Sequence, residues 1–491
     1  MYNRHVNTSP NAISNKKGIY GFIDRYFEIT KRGSTIGREI RGGVVTFFAM
    51  SYILVLNPII LSSSKDSTGV FLGGGHAANV TAISAATALV AGIMTILMGA
   101  VANFPLALAA GMGINAMVAF SLVLGSGMTW PEAMGIIVLE GIIILILVLV
   151  GFREAVFKAV PNSLKMSISV GIGLFIALVG MVNAGIIRPG GTPVQLGING
   201  SLSGWPALIF VFGLFVTIAL FVRKVSGSIL IGILSSTVLA IIIQYFVHLP
   251  AKSDKNPTGW GLNIPEFKDS IVQLPDFSTL GQIDIISPFT RIGILAVVLI
   301  VFSVMLADFF DTMGTMVAVG AEANLLDENN APPKTTRILI IDSLAAIVGG
   351  ASGTSSATSY VESTAGVADG ARTGLASVVT GILFLLSMFF APLVEMIPSE
   401  AASTALVAVG FLMMTQICEI DWKDWEIAIP AFMTIAMMPF AYSITVGIGA
   451  GFVSYMLIQI VKGKFKQHYL MWITSILFVL YFVMGPIQHL L

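Results

Sequence analysis

The sequence predicts an all-α polytopic membrane protein of about fourteen spans, built as two inverted sets of seven, and three observations carry that prediction. Charged residues make up 11% of the 491 and hydrophobic ones 56%, whereas a soluble domain carries about 25% charged residues. The apolar residues gather in runs near the roughly 20 residues that cross a hydrocarbon core. The basic residues fall on alternating connections, as the retention of Lys and Arg on one side of a membrane requires.

The first set lies near 42–63, 80–100, 105–124, 131–151, 163–187, 205–222 and 226–248. A polar stretch over 249–288, rich in Pro, Asp and Lys, is expected as an extracytoplasmic linker. The second set lies near 292–320, 336–350, 352–369, 373–397, 399–417, 425–443 and 445–461, and a further apolar run at 470–490 is left open between a span and an interfacial helix. With a cytoplasmic segment at 1–41, this layout puts 20 of the 26 basic residues inside. They are eight in 1–41, then Arg153, Lys158, Lys165, Arg223, Lys224, Lys334, Arg337, Arg372, Lys423, Lys462, Lys464 and Lys466. Lys65, Arg188, Lys252, Lys255, Lys268 and Arg291 remain outside.

The two halves echo each other. Gly141 is followed by an apolar run, Pro161 and the small-residue helix Ser167–Gly180; Gly381 is followed by an apolar run, Pro398 and the stretch Ala401–Gly410. Seven spans per half makes the repeats opposite in topology, a hallmark of secondary transporters that hold substrate at the repeat interface.

Two segments are interrupted. The third contains Pro105, Gly111 and Gly113; the tenth, from Gly349 to Gly366, is dominated by Gly, Ser and Thr. Broken chain at membrane depth is tolerated only where protein or a polar cavity surrounds it. Matching breaks in the two halves are a strong sequence pointer to a transport site.

Ionisable residues inside spans cost at least about 2.5–3.5 kcal/mol on insertion scales, so each needs a reason. Asp308, Asp311, Thr312 and Thr315 stand at i, i+3, i+4 and i+7 of the eighth span, which places them on one helical face. Glu362 lies in the tenth segment and Asn115, with both donor and acceptor on its amide, in the third. These groups are expected to form a polar cage with at least two acids and no basic partner. Two carboxylates in low dielectric do not both ionise readily, so one would take up a proton. A carboxylate also accepts two adjacent N–H donors, as a purine edge presents them. Glu140 and Asp342 are weighed as structural, and Asp369 is expected to form an interfacial pair with Arg372.

Other chemistries are disfavoured. A net charge of zero leaves no excess positive charge for nucleic acid. The one cysteine, Cys418, excludes an intrachain disulfide. His76, His248 and His489 fall in loops or at span ends and make no metal site. No glycine loop ending in Lys-Ser or Lys-Thr is present for ATP. No cofactor is expected. A membrane-embedded hydrolase would need a nucleophile with its base, or metal-binding histidines, and neither stands near Asp308 or Glu362. The chain reads as a transporter and not an enzyme.

At this point the sequence resembles the xanthine/uracil permease superfamily, and within it the AzgA-like hypoxanthine, guanine and adenine permeases. The resemblance rests on Phe47–Pro58, on Gly111-Met-Gly-Ile-Asn115-Ala, on Ala307-Asp308-Phe-Phe-Asp311-Thr-Met-Gly314-Thr, and on Thr358-Ser-Tyr-Val-Glu362-Ser-Thr-Ala-Gly366 with Gly370-Ala-Arg372-Thr-Gly374. It implies short strands in the third and tenth spans. It also implies a core domain over 42–151 and 289–397, a gate domain over 152–248 and 398–463, and a hydrophobic segment at 464–491 outside both. By position, Asp308 and Glu362 become the main ligands of the base, with Asn115, Thr312 and the backbone near Gly113 and Val361 in support. Asp308, Asp311 or Glu362 would carry the coupling proton.

The implied function is purine nucleobase uptake at the plasma membrane by proton symport, with elevator-type alternating access and the N-terminus inside. Sodium in place of the proton stays open, and a homodimer is compatible without being selected. Ser363 after Glu362 and the late Gly366 depart from the uracil and xanthine pattern. Transport of uracil, xanthine or a small anion on the same fold is the alternative.

Overall fold

The first span begins earlier than hydropathy alone places it, because the polar residues before it are satisfied within the protein. Thr35 caps the helix by accepting from Arg38 N, and Glu39 is fully buried, its carboxylate accepting from the backbone N–H groups of Arg372 at 2.8 Å and Thr373 at 3.2 Å. Residues 36–41 therefore join the span instead of the N-terminal segment. In this computed structural model the described residues are 18–488, other than 152–159, 226, 254, 268–269 and 328–330. Arg4, Lys16, Lys17, Arg153, Lys158, Lys268 and His489 lie outside them, as does the boundary expected after residue 151.

A short helix α1 (Ile19–Phe27) precedes the first span, which is broken at Ser51–Tyr52 into α2 (Ile36–Met50) and α3 (Ile53–Leu61). The second is α4 (Val80–Leu97) with a π turn to Ala102. The third runs from strand β1 (Leu108–Ala110) into α5 (Met112–Ala116), extended by a π segment to Gly125. The fourth and fifth are α6 (Trp130–Leu149) and α7 (Asn162–Asn183). After a small hairpin, β2 (Ile187–Arg188) and β3 (Gln195–Leu196), come the sixth and seventh, α8 (Trp205–Val222) and α9 (Ser228–Val247).

The second half opens with a single turn, α10 (Ser287–Arg291), then α11 (Ile294–Glu322) and α12 (Thr335–Ala351) as eighth and ninth. The tenth is strand β4 (Ala357–Ser359) with α13 (Ser363–Ala368). The eleventh to fourteenth are α14 (Gly374–Ser387) with a 3₁₀ run to Met396, α15 (Ser399–Met414), α16 (Trp425–Phe440) and α17 (Ile444–Val461). The terminal run is α18 (Tyr469–Gln488), packed on the fourteenth span through the fully buried Phe478.

Every expected span thus coincides with an element. Ten are long and apolar enough to cross a membrane alone. The other four are the interrupted third and tenth, the ninth with Asp342 inside its 17 residues, and the thirteenth with 16.

Packing partners obey the inverted repeat. The second span packs on the eleventh as the fourth packs on the ninth, and the sixth on the twelfth as the thirteenth on the fifth. The paired glycines do the same job in each half. A Cβ on Gly381 would meet Gly92 O at 2.6 Å, and one on Gly141 would meet Ile347 N at 2.9 Å. Where the fifth and twelfth spans cross, a Cβ on Gly173 would lie 2.7 Å from Gly410 O and one on Gly410 would lie 2.5 Å from Gly173 O. Small residues at such crossings let backbones approach where lipid offers no hydrophobic drive to associate.

The two strands meet at the centre. Antiparallel pairs Leu108↔Ser359, Ala109↔Thr358 and Ala110↔Ala357 form the ladder, extended by Tyr360 N donating to Ala107 O and Gly111 N to Ser356 O. Thr95 of the second span closes the outer edge of β1, donating to Leu108 O at 3.0 Å and accepting from Leu108 N at 2.9 Å. Asn57 donates to Thr87 Oγ1 and Thr354 O, pinning the first span to the turn before β4. That turn uses Gly353 at φ +71°, a conformation glycine adopts without a Cβ penalty.

Candidate functional site

A helix of 29 residues is about 43 Å long, and Asp308 is the fifteenth residue of the eighth span, so it sits near mid-membrane. It is fully buried, accepts from Ser356 Oγ at 3.3 Å, and stands within hydrogen-bonding reach of Thr358 and of the Glu140 carboxyl of the fourth span. Its Oδ1 has no partner among the described residues. Glu140 is equally buried and lies beside Asp308, and neither of its oxygens has a hydrogen-bond partner among the described residues.

Thr312, one turn on, donates to Asp342 Oδ2 at 2.8 Å and shares a 2.8 Å bond with Thr358 of β4; Ser359 donates to Asp342 Oδ1 at 2.9 Å. Asp308 and Asp342, from two different spans, are thereby tied to β4 and the residues before it, and Glu140 of a third span lies beside Asp308. Buried polar groups of this kind persist only when hydrogen-bonded or ligand-bearing.

Asp311 departs from the face expected for it. Asp308, Thr312 and Thr315 are buried, but Asp311 is exposed. Helical geometry accounts for this, since three residues turn about 300° and leave Asp311 about 60° off Asp308. It still lies close enough to both Asp308 and Glu362 for their charges to act on it. Glu362 is half-buried and accepts from the Tyr52 hydroxyl at 2.5 Å, where the first span breaks. Tyr360 donates to Ala110 O at 2.6 Å and locks the two strand ends together.

Asn115 lies one turn past β1 in α5. It is fully buried, and neither amide atom has a partner among the described residues. Gly113 beside it presents half-exposed backbone, and a Cβ there would meet Ile172 Cγ2 at 2.7 Å. Val361 is 46% exposed although it flanks the ladder.

Exposure continues along one stripe. Asp311, Gly314, Ala318 and Ala321 recur at i, i+3, i+7 and i+10 of the eighth span, all exposed and none with a bulky apolar side chain. Val361 and Ala368 are exposed along the tenth. In the preceding stretch of the eighth span, residues 299–309, none is exposed. The exposed positions of the eighth span thus begin at Asp311 and run toward its C-terminal end.

The structure therefore brings Asp308, Thr312, Glu362 and Asp311 into one neighbourhood with Asn115 and Gly113 on the adjoining half-helix. Tyr52, Tyr360 and the Asp308–Glu140 contact were not anticipated. A tyrosine in the middle of an apolar span was the available signal for the first. Asp369 also departs from expectation. It pairs with Arg41, whose Nη2 also donates to Asp369 O, because the tenth span packs on the first. Arg372 instead turns its guanidinium onto the carbonyls of Val367 and Ala371.

Comparison with known proteins identifies the family of the chain. Residues 37–484 match the profile described as Permease family, Xan_ur_permease. The guanine/hypoxanthine permease PbuG of Bacillus subtilis is 39% identical over 93% of this chain and 99% of its own length. The adenine permease AdeP of Escherichia coli is 35% identical over 91% and 92%. Among solved structures, the transmembrane domain of the cyanobacterial bicarbonate transporter BicA superposes with a TM-score of 0.55 at 14% identity, covering 84% of this chain and 96% of that one. Murine Slc26a9, an anion transporter in its inward-facing state, gives 0.57 at 12%, covering 93% and 74%. At such identities these two show a shared fold alone. The chain belongs to the xanthine/uracil permease family and resembles its guanine/hypoxanthine and adenine permeases.

Proposed function

We propose that this protein carries hypoxanthine, guanine or adenine across the plasma membrane together with a proton. The observation that carries the reading is the set of orphaned polar atoms at mid-membrane: both amide atoms of Asn115 and Oδ1 of Asp308, beside the Glu362–Tyr52 pair. A neutral planar base with several N–H donors and ring acceptors satisfies such groups, and leaving them unmet costs about 1–3 kcal/mol each. Asp308 and Glu362 would accept from the base. Asn115, Thr312 and the backbone near Gly113 and Val361 would fix its orientation, and Asp311 would meet it on the accessible side. The names of the relatives support purines as the cargo.

Proton coupling follows from the acids. Asp308, Glu140 and Asp342 have no basic side chain among the hydrogen bonds and ion pairs that hold them, so a proton on the cluster offsets charge that the site would otherwise carry uncompensated. In this reading the spans that hold the strands, first to fourth and eighth to eleventh, form a core. It moves as a body against a gate of the remaining six and carries the site with it. With the N-terminus in the cytoplasm, the exposed stripe that begins at Asp311 supports an inward-open state. A small anion is disfavoured, because among the described residues the hydrogen bonds that hold Asp308 and Asp342 come from hydroxyls and include no cation.

The test is uptake of labelled hypoxanthine by cells lacking purine transport, with and without a proton uncoupler. Uptake that the uncoupler abolishes is expected. Uptake indifferent to it would remove the coupling.

A further inference from the structure

The short helix before the first span is built like a surface anchor. Ile19, Phe22 and Tyr26 recur at i, i+3 and i+7 on one face of α1 and are 77%, 63% and 51% exposed, with Arg25 beside them, while Phe27 and Gly21 turn inward. The helix is fixed at the rim of the bundle. The Tyr26 hydroxyl donates to Ala100 O at 2.8 Å, and Asn103 Nδ2 to Phe27 O at 2.9 Å. At the same level the second span presents Ile93, Leu97 and Val101 outward, one helical stripe, so the apolar face of α1 continues a lipid-facing surface.

Cations gather at this edge. Arg337 donates to Val101 O at 3.3 Å, one residue from the acceptor of Tyr26, and Lys334, Arg337, Arg32 and Lys31 lie within electrostatic range of one another. Two carboxylates stand here, Asp24, which accepts from Thr30 N and Oγ1, and Glu28, already engaged by Lys31 at 2.8 Å and Arg32 at 3.4 Å. Burial, with Arg337 and Arg32 alongside, holds the Lys334 ammonium below its ordinary value. An amphipathic helix with an apolar face level with the acyl boundary and cations at its flank matches the chemistry of an anionic leaflet.

We propose that α1, with Arg25, Lys334 and Arg337, is a docking edge for anionic phospholipid headgroups of the leaflet at the N-terminal rim. Ile19, Phe22 and Tyr26 enter the acyl boundary, and the cations take headgroup phosphates. The edge ties the spans that bear the strands to one leaflet.

The test uses the full chain in nanodiscs, with Cys418→Ser as background and single cysteines placed by Phe22→Cys or, as a solvent control, Lys423→Cys. Each carries an environment-sensitive fluorophore, and the lipid carries a shallow nitroxide quencher. Several-fold stronger quenching at position 22 than at 423 is expected. Equal quenching would overturn the proposal and mean that residues 1–17 or a second copy cover the face. A second measurement needs no label: addition of phosphatidylglycerol to protein in phosphatidylcholine micelles should raise the thermal midpoint. That rise should disappear in the Lys334→Gln, Arg337→Gln double variant and persist in Arg223→Gln. A rise undiminished in the double variant would overturn headgroup recognition.

Discussion

The Tyr52 hydroxyl donates to Glu362 Oε1 at 2.5 Å, joining the break in the first span to the junction of β4 and α13 in the tenth across 310 residues of sequence. Each partner stands at the N-cap of a helix, Tyr52 at that of α3 and Glu362 at that of α13, and the bond sets the direction in which the remaining lone pairs of Glu362 face. Tyr52→Phe removes that donor without a large change of shape. Hydrogen bonds to charged groups contribute about 1.5–3 kcal/mol, so the KM for purine uptake should rise at least about tenfold. The expression level should be unchanged, as labelled uptake against surface abundance would report.

Glu140 was legible in the sequence only as an acid in an apolar span, weighed as structural. Its proximity to Asp308 and Asp342 makes it part of the buried acid cluster. Glu140→Gln keeps the shape of the side chain but removes one titratable group. Concentrative uptake driven by an imposed pH gradient should fall, while counterflow exchange of purine, which needs no net proton movement, should persist. Loss of both to the same degree would mean that Glu140 acts on folding or binding.

Close backbone approach at the Gly173–Gly410 crossing gives a stability prediction. Gly173→Val would force side-chain atoms into Gly410 O and Met413 Cβ, each 2.7 Å from the first added carbon. Overpacking of this kind costs about 1–3 kcal/mol. The detergent-solubilised variant should lose monodispersity on heating at a lower temperature than wild type, and Gly314→Ala, with open space around it, should not.

The linker carries a pH-dependent contact. The Asn79 amide donates to Asp276 at 3.0 Å, and with the Ser278 N–H it holds that carboxyl below its usual value. A carboxyl lowered in the folded state contributes stability above its unfolded value and loses it as pH falls toward its folded one. Hydrogen exchange over 270–282 should therefore quicken on acidification below the usual carboxylate range, and Asn79→Ala should bring the quickening to higher pH.

Much of this architecture was readable from periodicity and composition, because crossing a bilayer demands long apolar runs and interrupting one is costly. The broken third and tenth segments stood out for that reason, and Gly141 and Gly381 proved equivalent in their packing. The strands did not stand out, since three residues each at Leu108–Ala110 and Ala357–Ser359 are too short to show alternation. The early start of the first span hid behind Glu39, whose charge reads as a boundary until Arg372 and Thr373, more than 330 residues away, supply its donors. Local pattern likewise placed Asp311 on the face of Asp308, where a turn of about 60° separates a buried acid from an exposed one.

Equilibrium binding of labelled guanine to the purified protein tests the central claim most directly, with Asp308→Asn and Glu362→Gln measured beside the wild type. Saturable binding, displaced by unlabelled hypoxanthine and weakened at least about tenfold, or about 1.4 kcal/mol, in each variant is expected. Binding of undiminished affinity in both well-folded variants would contradict the assignment of the mid-membrane acids to the base.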